Sequence, residues 1–240
     1  MSKVWIITKR ELSAFFDSLI AYVMIILFLG LSGSFTWLFG TNIFMLGQAN
    51  LDVFYDVAYW SLFFFIPAIT MRMIAEENKS GTIELLITKA ISDNQIVIGK
   101  FLACLILVGI ALMCTIPYYF TIRQLGNVDD GAVLGGYLAM IFLSASYIGI
   151  GLFASSLTQN QIVAFLLALF IGIFFHMLFD VIGSGSTGFI GEVFSYLSIR
   201  THVDSLSRGV IDSRDIIYFL SLILIGLLGT QIMLSKRNWK

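Results

Sequence analysis

His176 and Asp180 stand four residues apart in an apolar run, FFHMLFD, and are the first side chains here with the chemistry of a site. On a helix that spacing puts them one turn apart on one face. Ionisable groups are costly to keep at membrane depth, so one reading is a proton or substrate contact. The other is an interfacial pair that reaches headgroups or water, where that cost falls steeply. His202 and Arg208 follow in a polar stretch, THVDSLSRGVID, and offer an imidazole and a guanidinium to an external partner or substrate. Neither histidine is accompanied by a ligand cluster of the kind a metal centre needs. An intramembrane protease would require a nucleophile at the depth of His176, and no Ser or Cys motif accompanies it. Cys104 and Cys114 lie ten residues apart in one apolar run. That is roughly 15 Å of helical rise, beyond disulfide reach, so both are expected to be inert core thiols. No G-x-x-x-x-G-K-[ST] occurs, so the chain has no P-loop with which to cradle nucleotide phosphates.

The elements that would position these residues are membrane spans. Hydrophobic residues make up 58% of the 240 and charged residues only 12%, with a mean hydropathy of +0.93. Such a composition specifies a polytopic membrane protein. A net charge of −1 argues for no nucleic-acid partner. The first apolar run follows a charged segment and has the length of a full span, so no cleavable signal peptide is expected. Six spans are predicted, at about 18–39, 57–73, 98–122, 132–157, 162–182 and 216–234. Before them, residues 3–17 place Trp5, Leu12, Phe15 and Phe16 on one helical face with Lys9, Arg10, Glu11 and Asp17 interleaved, the pattern of an interfacial helix. Pro67 in the second span removes a backbone donor and should bend the helix. In the fourth, Ala145 and Gly149, or Gly151 and Ser155, are small residues four apart that permit close helix approach. The turn SLTQNQ allows only a tight hairpin. Residues 183–215 form the longest external loop, and its apolar piece FIGEVFSYLSI is too short to span, so it should be re-entrant or interfacial.

One polar stretch stands out, MRMIAEENKSGTIELLITKAISDNQIVIGK, residues 71–100. Ile83, Leu86, Ile87, Ala90 and Ile91 fall at helical spacing with Glu84, Thr88 and Lys89 opposite, which predicts a short amphipathic helix over 82–91. Thr82 is placed to cap it, and Glu84 in its first turn suits the helix dipole. Ser92 and Gln95 make an S-x-x-Q capping box for the following helix.

This stretch resembles the cytoplasmic segment of ABC-2 type transporter permeases. The matching residues are Glu76, Glu77, Lys79, Gly81, Thr82, Glu84, Leu85, Leu86, Gly99 and Lys100. Asn78 stands where a basic residue is common, Ala90 where the family usually has Pro, and Leu19 where a Pro often follows the N-terminal helix. The SLTQNQ turn, together with His202, Asp204 and the Arg208–Asp212 run, is similar to the gliding-motility subgroup. The resemblance implies an all-α fold of type V exporter kind, with six transmembrane helices, an N-terminal amphipathic helix and a re-entrant external segment before the last helix. It implies that 82–91 is a coupling helix that docks on a separate ATP-binding subunit, with Thr88 and Lys89 on the docking face beside Glu84. ATP and Mg²⁺ then belong to that partner, and this chain is not itself an enzyme.

The basic residues set an orientation. Placing both termini in the cytoplasm of a bacterial cell puts Lys3, Lys9, Arg10, Arg72, Lys79, Lys89, Lys100, Lys236, Arg237 and Lys240 inside, leaving Arg123, Arg200, Arg208 and Arg214 outside. Six spans enclose little alone, so a second copy or a homologous permease is expected, with a large extracellular or periplasmic subunit as a further partner. Two functional readings stay open: export driven by the ATPase, or force transmission to an external partner through residues 183–215 without transport.

Overall fold

A computed structural model describes residues 3–40, 43–81 and 92–236. The described residues contain helices, turns and coil, with no strand among them. Six helical runs are long and apolar enough to cross a membrane: Ile20–Trp37, Asp52–Ser80, Asp93–Leu125, Asp130–Ser156, Gln161–Gly185 and Ser213–Lys236. They are called spans one to six below. The side of the bundle that carries the N-terminal helix is called the near face, and the opposite side the far face.

Helix α1 (Lys3–Asp17) buries Ile7, Thr8 and Phe15 and leaves Trp5 and Ile6 exposed, as an amphipathic surface helix must. It lies against the start of the third span because Gly99 carries no side chain: a Cβ there would sit 2.8 Å from Ile7 Cβ. The Thr8 hydroxyl donates to the Gly99 carbonyl at 3.1 Å across the same contact. The chain leaves α1 through Leu19, which has φ 59°. A left-handed, non-glycine residue costs about 1–2 kcal/mol, so local strain accompanies the chain's exit from α1. Helix α2 (Ile20–Trp37) is the first span, and α3 (Ile43–Leu46) is a short turn beyond it.

The second span begins earlier than expected, at Asp52, and α4 (Asp52–Thr70) holds Pro67 in its last turn. The chain then passes through a turn at 71–74 into α5 (Ala75–Ser80), which Gly81 closes with φ 68°. Residues 82–91, with the predicted coupling helix and its Thr82, Glu84, Leu85, Leu86, Thr88 and Lys89, lie outside the described residues. Chain description resumes at the capping box. The Gln95 amide donates to Ser92 Oγ at 3.4 Å, and the Ser92 amide donates to Gln95 Oε1 at 3.3 Å.

The third span is two helices, α6 (Asp93–Met113) and α7 (Ile116–Leu125). Pro117 does not bend a continuous helix near its end; it sits in the first turn of a new one, where its missing N–H is harmless. Cys104 is buried, but Cys114 at this break is exposed, so the expectation of two core thiols fails for Cys114. Its position at a helix break turns it out of the packing.

Helix α8 (Asp130–Ser156), the fourth span, is the central post, in contact with spans two, three, five and six. Its small residues explain how one helix serves so many neighbours. Gly149 meets Gly226 of the last span so closely that a Cβ on Gly226 would sit 2.5 Å from the Gly149 carbonyl carbon. The fifth span runs through α9 (Gln161–Ile173), a π-helical turn at Phe174–Leu178, and α10 (Phe179–Gly185). Two far-face helices follow, α11 (Phe189–Leu197) and α12 (Ile199–Ser207), and α13 (Ser213–Lys236) closes the bundle.

Candidate functional site

The polar residues of the near face converge on Lys100, whose side chain is only 1% exposed. Its ammonium lies 3.2 Å from Glu11 Oε1 of α1 and 2.8 Å from Glu77 Oε1 of α5. Arg10 completes the group: its Nη2 lies 3.1 Å from Glu77 Oε1 and also pairs with Glu11. Two cations therefore face two carboxylates at the junction of three helices. Burial pushes the Glu11 carboxyl up, but Lys100 and Arg10 outweigh it and hold the group below its usual 4.5. Burial likewise pulls Arg10 down, and Glu11 and Glu77 overcome it and leave it raised. Both shifts say that the charged forms belong together. Beside this junction a groove of about 560 Å³ is lined by Glu11, Asp17, Arg72, Glu76, Glu77 and Lys100. Arg72 is steadied there by Ser18 Oγ at 3.2 Å and by the Phe15 ring. Glu76 and Lys79 are exposed on α5, and neither is paired with the junction's charges among the described residues.

A residue from the fourth span holds this assembly to the bundle. Ser155 Oγ accepts from the amides of Ile74 and Ala75 at 3.1 and 3.0 Å and donates to the Met71 carbonyl at 2.9 Å. One buried hydroxyl thus satisfies the amides that open α5, a cap borrowed from another helix. Ser155→Ala should leave two buried N–H groups unpaired, at about 1–3 kcal/mol. Amide hydrogen exchange checks this: Ile74 and Ala75 should lose protection while amides of α12 keep theirs. Ser155 was expected only to let helices approach closely. No local signal marks it, because Ser144, Ser146 and Ser156 of the same span look alike in sequence.

On the far face the two histidines have different fates from those expected. His176 is 3% exposed, stacked between the rings of Tyr59 and Phe63 at centroid distances of 4.0 and 4.3 Å. Its Nδ1 is 2.7 Å from the Tyr147 hydroxyl, and Tyr59 donates to its carbonyl at 2.8 Å. It reaches neither headgroups nor an external partner. His176 lies in the π-helical turn at 174–178, and among the described residues no hydrogen bond or ion pair joins it to Asp180. Tyr59 and Phe63, four apart in the second span, form the slot that receives the ring.

His202 is also 3% exposed, so it too offers no surface contact. Its Nδ1 lies 2.6 Å from Asp215 Oδ1 and its Nε2 lies 2.9 Å from the Tyr196 carbonyl. Both ring nitrogens are thereby engaged. The ring stacks on Tyr218 at 3.9 Å. His202 therefore pins α12 to the start of the last span. Arg208 does lie exposed, its Nε donating to the Asp204 carbonyl at 3.2 Å. Arg200, not singled out in the sequence, is the organising cation here, 2.8 Å from Asp56 of the second span and 3.1 Å from Asp204. Burial raises the Asp204 carboxyl, and Arg200 only partly offsets it.

Against known proteins, residues 44–234 match the family model described as ABC-2 family transporter protein. The chain belongs to the ABC-2 transporter family. No curated protein matches it. As an ABC-2 family member with six apolar spans it is a multi-pass membrane protein, a transporter's membrane subunit. The matched region takes in Glu77, Lys100 and Ser155 and leaves out Arg10 and Glu11 of α1. The ABC-2 chain thus brings together Glu77 and Lys100 but not, by any hydrogen bond or ion pair among the described residues, His176 and Asp180; Glu76, Lys79 and Gly81 lie exposed before residues 82–91.

Proposed function

We propose that this chain is the permease of an ABC-2 transporter that draws its energy from a separate ATP-binding subunit docking on residues 82–91. The carrying observation is the 2.8 Å contact between Glu77 and Lys100, which joins the two ends of the segment 78–99 at the membrane border. A force applied to that segment is delivered through one ion-pair junction to the second and third spans and to α1. Glu84 and Lys89 would meet the ATPase, which binds the Mg-ATP; a second copy or a homologous permease completes the transporter. Positive charge on the near face supports a bacterial plasma-membrane orientation with both termini cytoplasmic. The SLTQNQ turn and the run through Arg208 support a reading within the gliding-motility subgroup. The test is copurification and ATPase stimulation with the partner, before and after Glu84→Arg and Lys89→Glu. Loss of both is expected; unchanged association and stimulation would sink the assignment.

A second reading, a transmitter that moves an external or periplasmic partner without transport, is favoured by one contact. The second span reaches the junction at its near end and holds α12 through Asp56 and Arg200 at its far end. Nucleotide-dependent cross-linking between α12 and an external partner, with no transbilayer flux in proteoliposomes, would select it.

A further inference from the structure

Between α2 and α4 runs an apolar groove of about 370 Å³, walled by Leu31, Phe35, Val57, Trp60 and Phe64, and opening sideways where a bilayer would be. Trp60 and Phe64 are 46% and 50% exposed. Asp56 closes its far-face end and is also a wall of a polar cleft of about 540 Å³ at the foot of α12. An apolar trough and an ionic cleft that share one residue accommodate one kind of molecule, an amphipath with its tail in the first and its head in the second.

The charges in the cleft select the head. Arg200 is already held by Asp56 and Asp204. Asp52, whose carboxylate accepts from Asn50 Nδ2 at 2.7 Å, and Arg208, in no ion pair among the described residues, line the same cleft and are exposed. An anionic head would meet three carboxylates, and a purely cationic one would meet Arg208. A head carrying a phosphate for the guanidinium and an ammonium for Asp52 fits both. The ammonium must donate hydrogen bonds to a carboxylate, which ethanolamine does and choline does not. We propose that this composite groove is a binding site for a phosphatidylethanolamine of the far-face leaflet. The site asks only that the chain sit in a bilayer, and so stands apart from the ATPase reading. The tail lies along α2 and α4 against Trp60, an aromatic at the depth where interfacial tryptophans sit.

The test uses the full chain in detergent micelles, with Trp60 as its sole tryptophan (Trp5→Phe, Trp37→Phe, Trp239→Phe). Phospholipids with brominated acyl chains are added at limiting ratio, and a second chain keeping only Trp37 gives the background. Quenching of Trp60 should saturate near one phosphatidylethanolamine per chain and be about tenfold weaker with phosphatidylglycerol and phosphatidylcholine, the loss of one charge-assisted contact. Asp52→Asn should erase the headgroup preference, whereas Arg208→Gln, which removes the partner of a phosphate common to all three lipids, should weaken quenching by all of them alike; both positions are exposed. Equal quenching by all three lipids would overturn the proposal and leave ordinary annular lipid. No quenching by any, with Trp60 cross-linking between chains, would overturn it by assigning the groove to a second copy.

Discussion

Lys100→Met should destabilise the near-face junction by about 3–5 kcal/mol, the cost of leaving buried carboxylates without their cation. Methionine keeps nearly the volume of the lysine stem, so the loss isolates the charge. Glu11 and Glu77 would then share Arg10 alone. Adding Glu77→Gln should recover a large part of the loss, because the remaining carboxylate again has one cation, and a double-mutant cycle measures the coupling. The pH dependence should also weaken. In the natural chain Glu11 has a lowered folded pKa, so its contribution is full above about pH 4.5 and fades as pH falls through the lowered value. In Lys100→Met only Arg10 is left to oppose the burial that pushes the Glu11 carboxyl up, so acidification should cost the junction less than in the natural chain. Thermal unfolding of the purified chain between pH 4 and 7, read by protease protection of α1, checks both. A variant as stable as the parent, with unchanged pH dependence, would contradict the account.

The second large effect belongs to the far face. His202→Phe retains a ring to stack on Tyr218 but strands Asp215, which is 5% exposed and whose Oδ2 already has no hydrogen-bond partner among the described residues. The expected cost is again about 3–5 kcal/mol. His202→Phe with Asp215→Leu should return most of it, since replacing both members of a buried pair by apolar groups is often near neutral. The readout is proteolysis at the α11–α12 segment, which should become sensitive in the single variant and protected again in the double. If the double is as sensitive as the single, the pair holds α12 by something other than charge.

What could be read from the chain depended on range. The six spans were legible because hydropathy is additive along a run, although the ends of the second and third moved outward once polar residues such as Asp52 and Asp93 proved to open helices. The capping box at Ser92 and Gln95 was legible because its partners are three residues apart. Glu77, Gly99 and Lys100 were noticed through a resemblance, but their physical roles were not, because Glu11 and Ile7 lie far upstream in sequence. Ser155 was hidden for a like reason: its hydroxyl serves amides in another helix, and nothing local distinguishes a bonding serine from a packing one. The place of His176 was hidden because its partners Tyr59, Phe63 and Tyr147 lie on other spans, and that of His202 because its acceptors, Tyr196 and Asp215, belong to elements separated by turns. Residues 82–91 lie outside the described structure, so the docking surface still rests on the pattern of Ile83, Glu84, Leu86 and Lys89.

The contact between Glu77 and Lys100 also limits what kind of motion is allowed. It fastens the two ends of an intervening stretch to each other and, through Glu11, to the helix lying beneath them, much as the two feet of a handle are fixed to one lid. A load hung on such a handle cannot prise the second and third spans apart; it tilts them as a pair and drags α1 along the bilayer surface. On the proposed docking, the stroke would then be a rocking of two helices about the central fourth, disturbing lipid packing beside α1 before the seam between the spans.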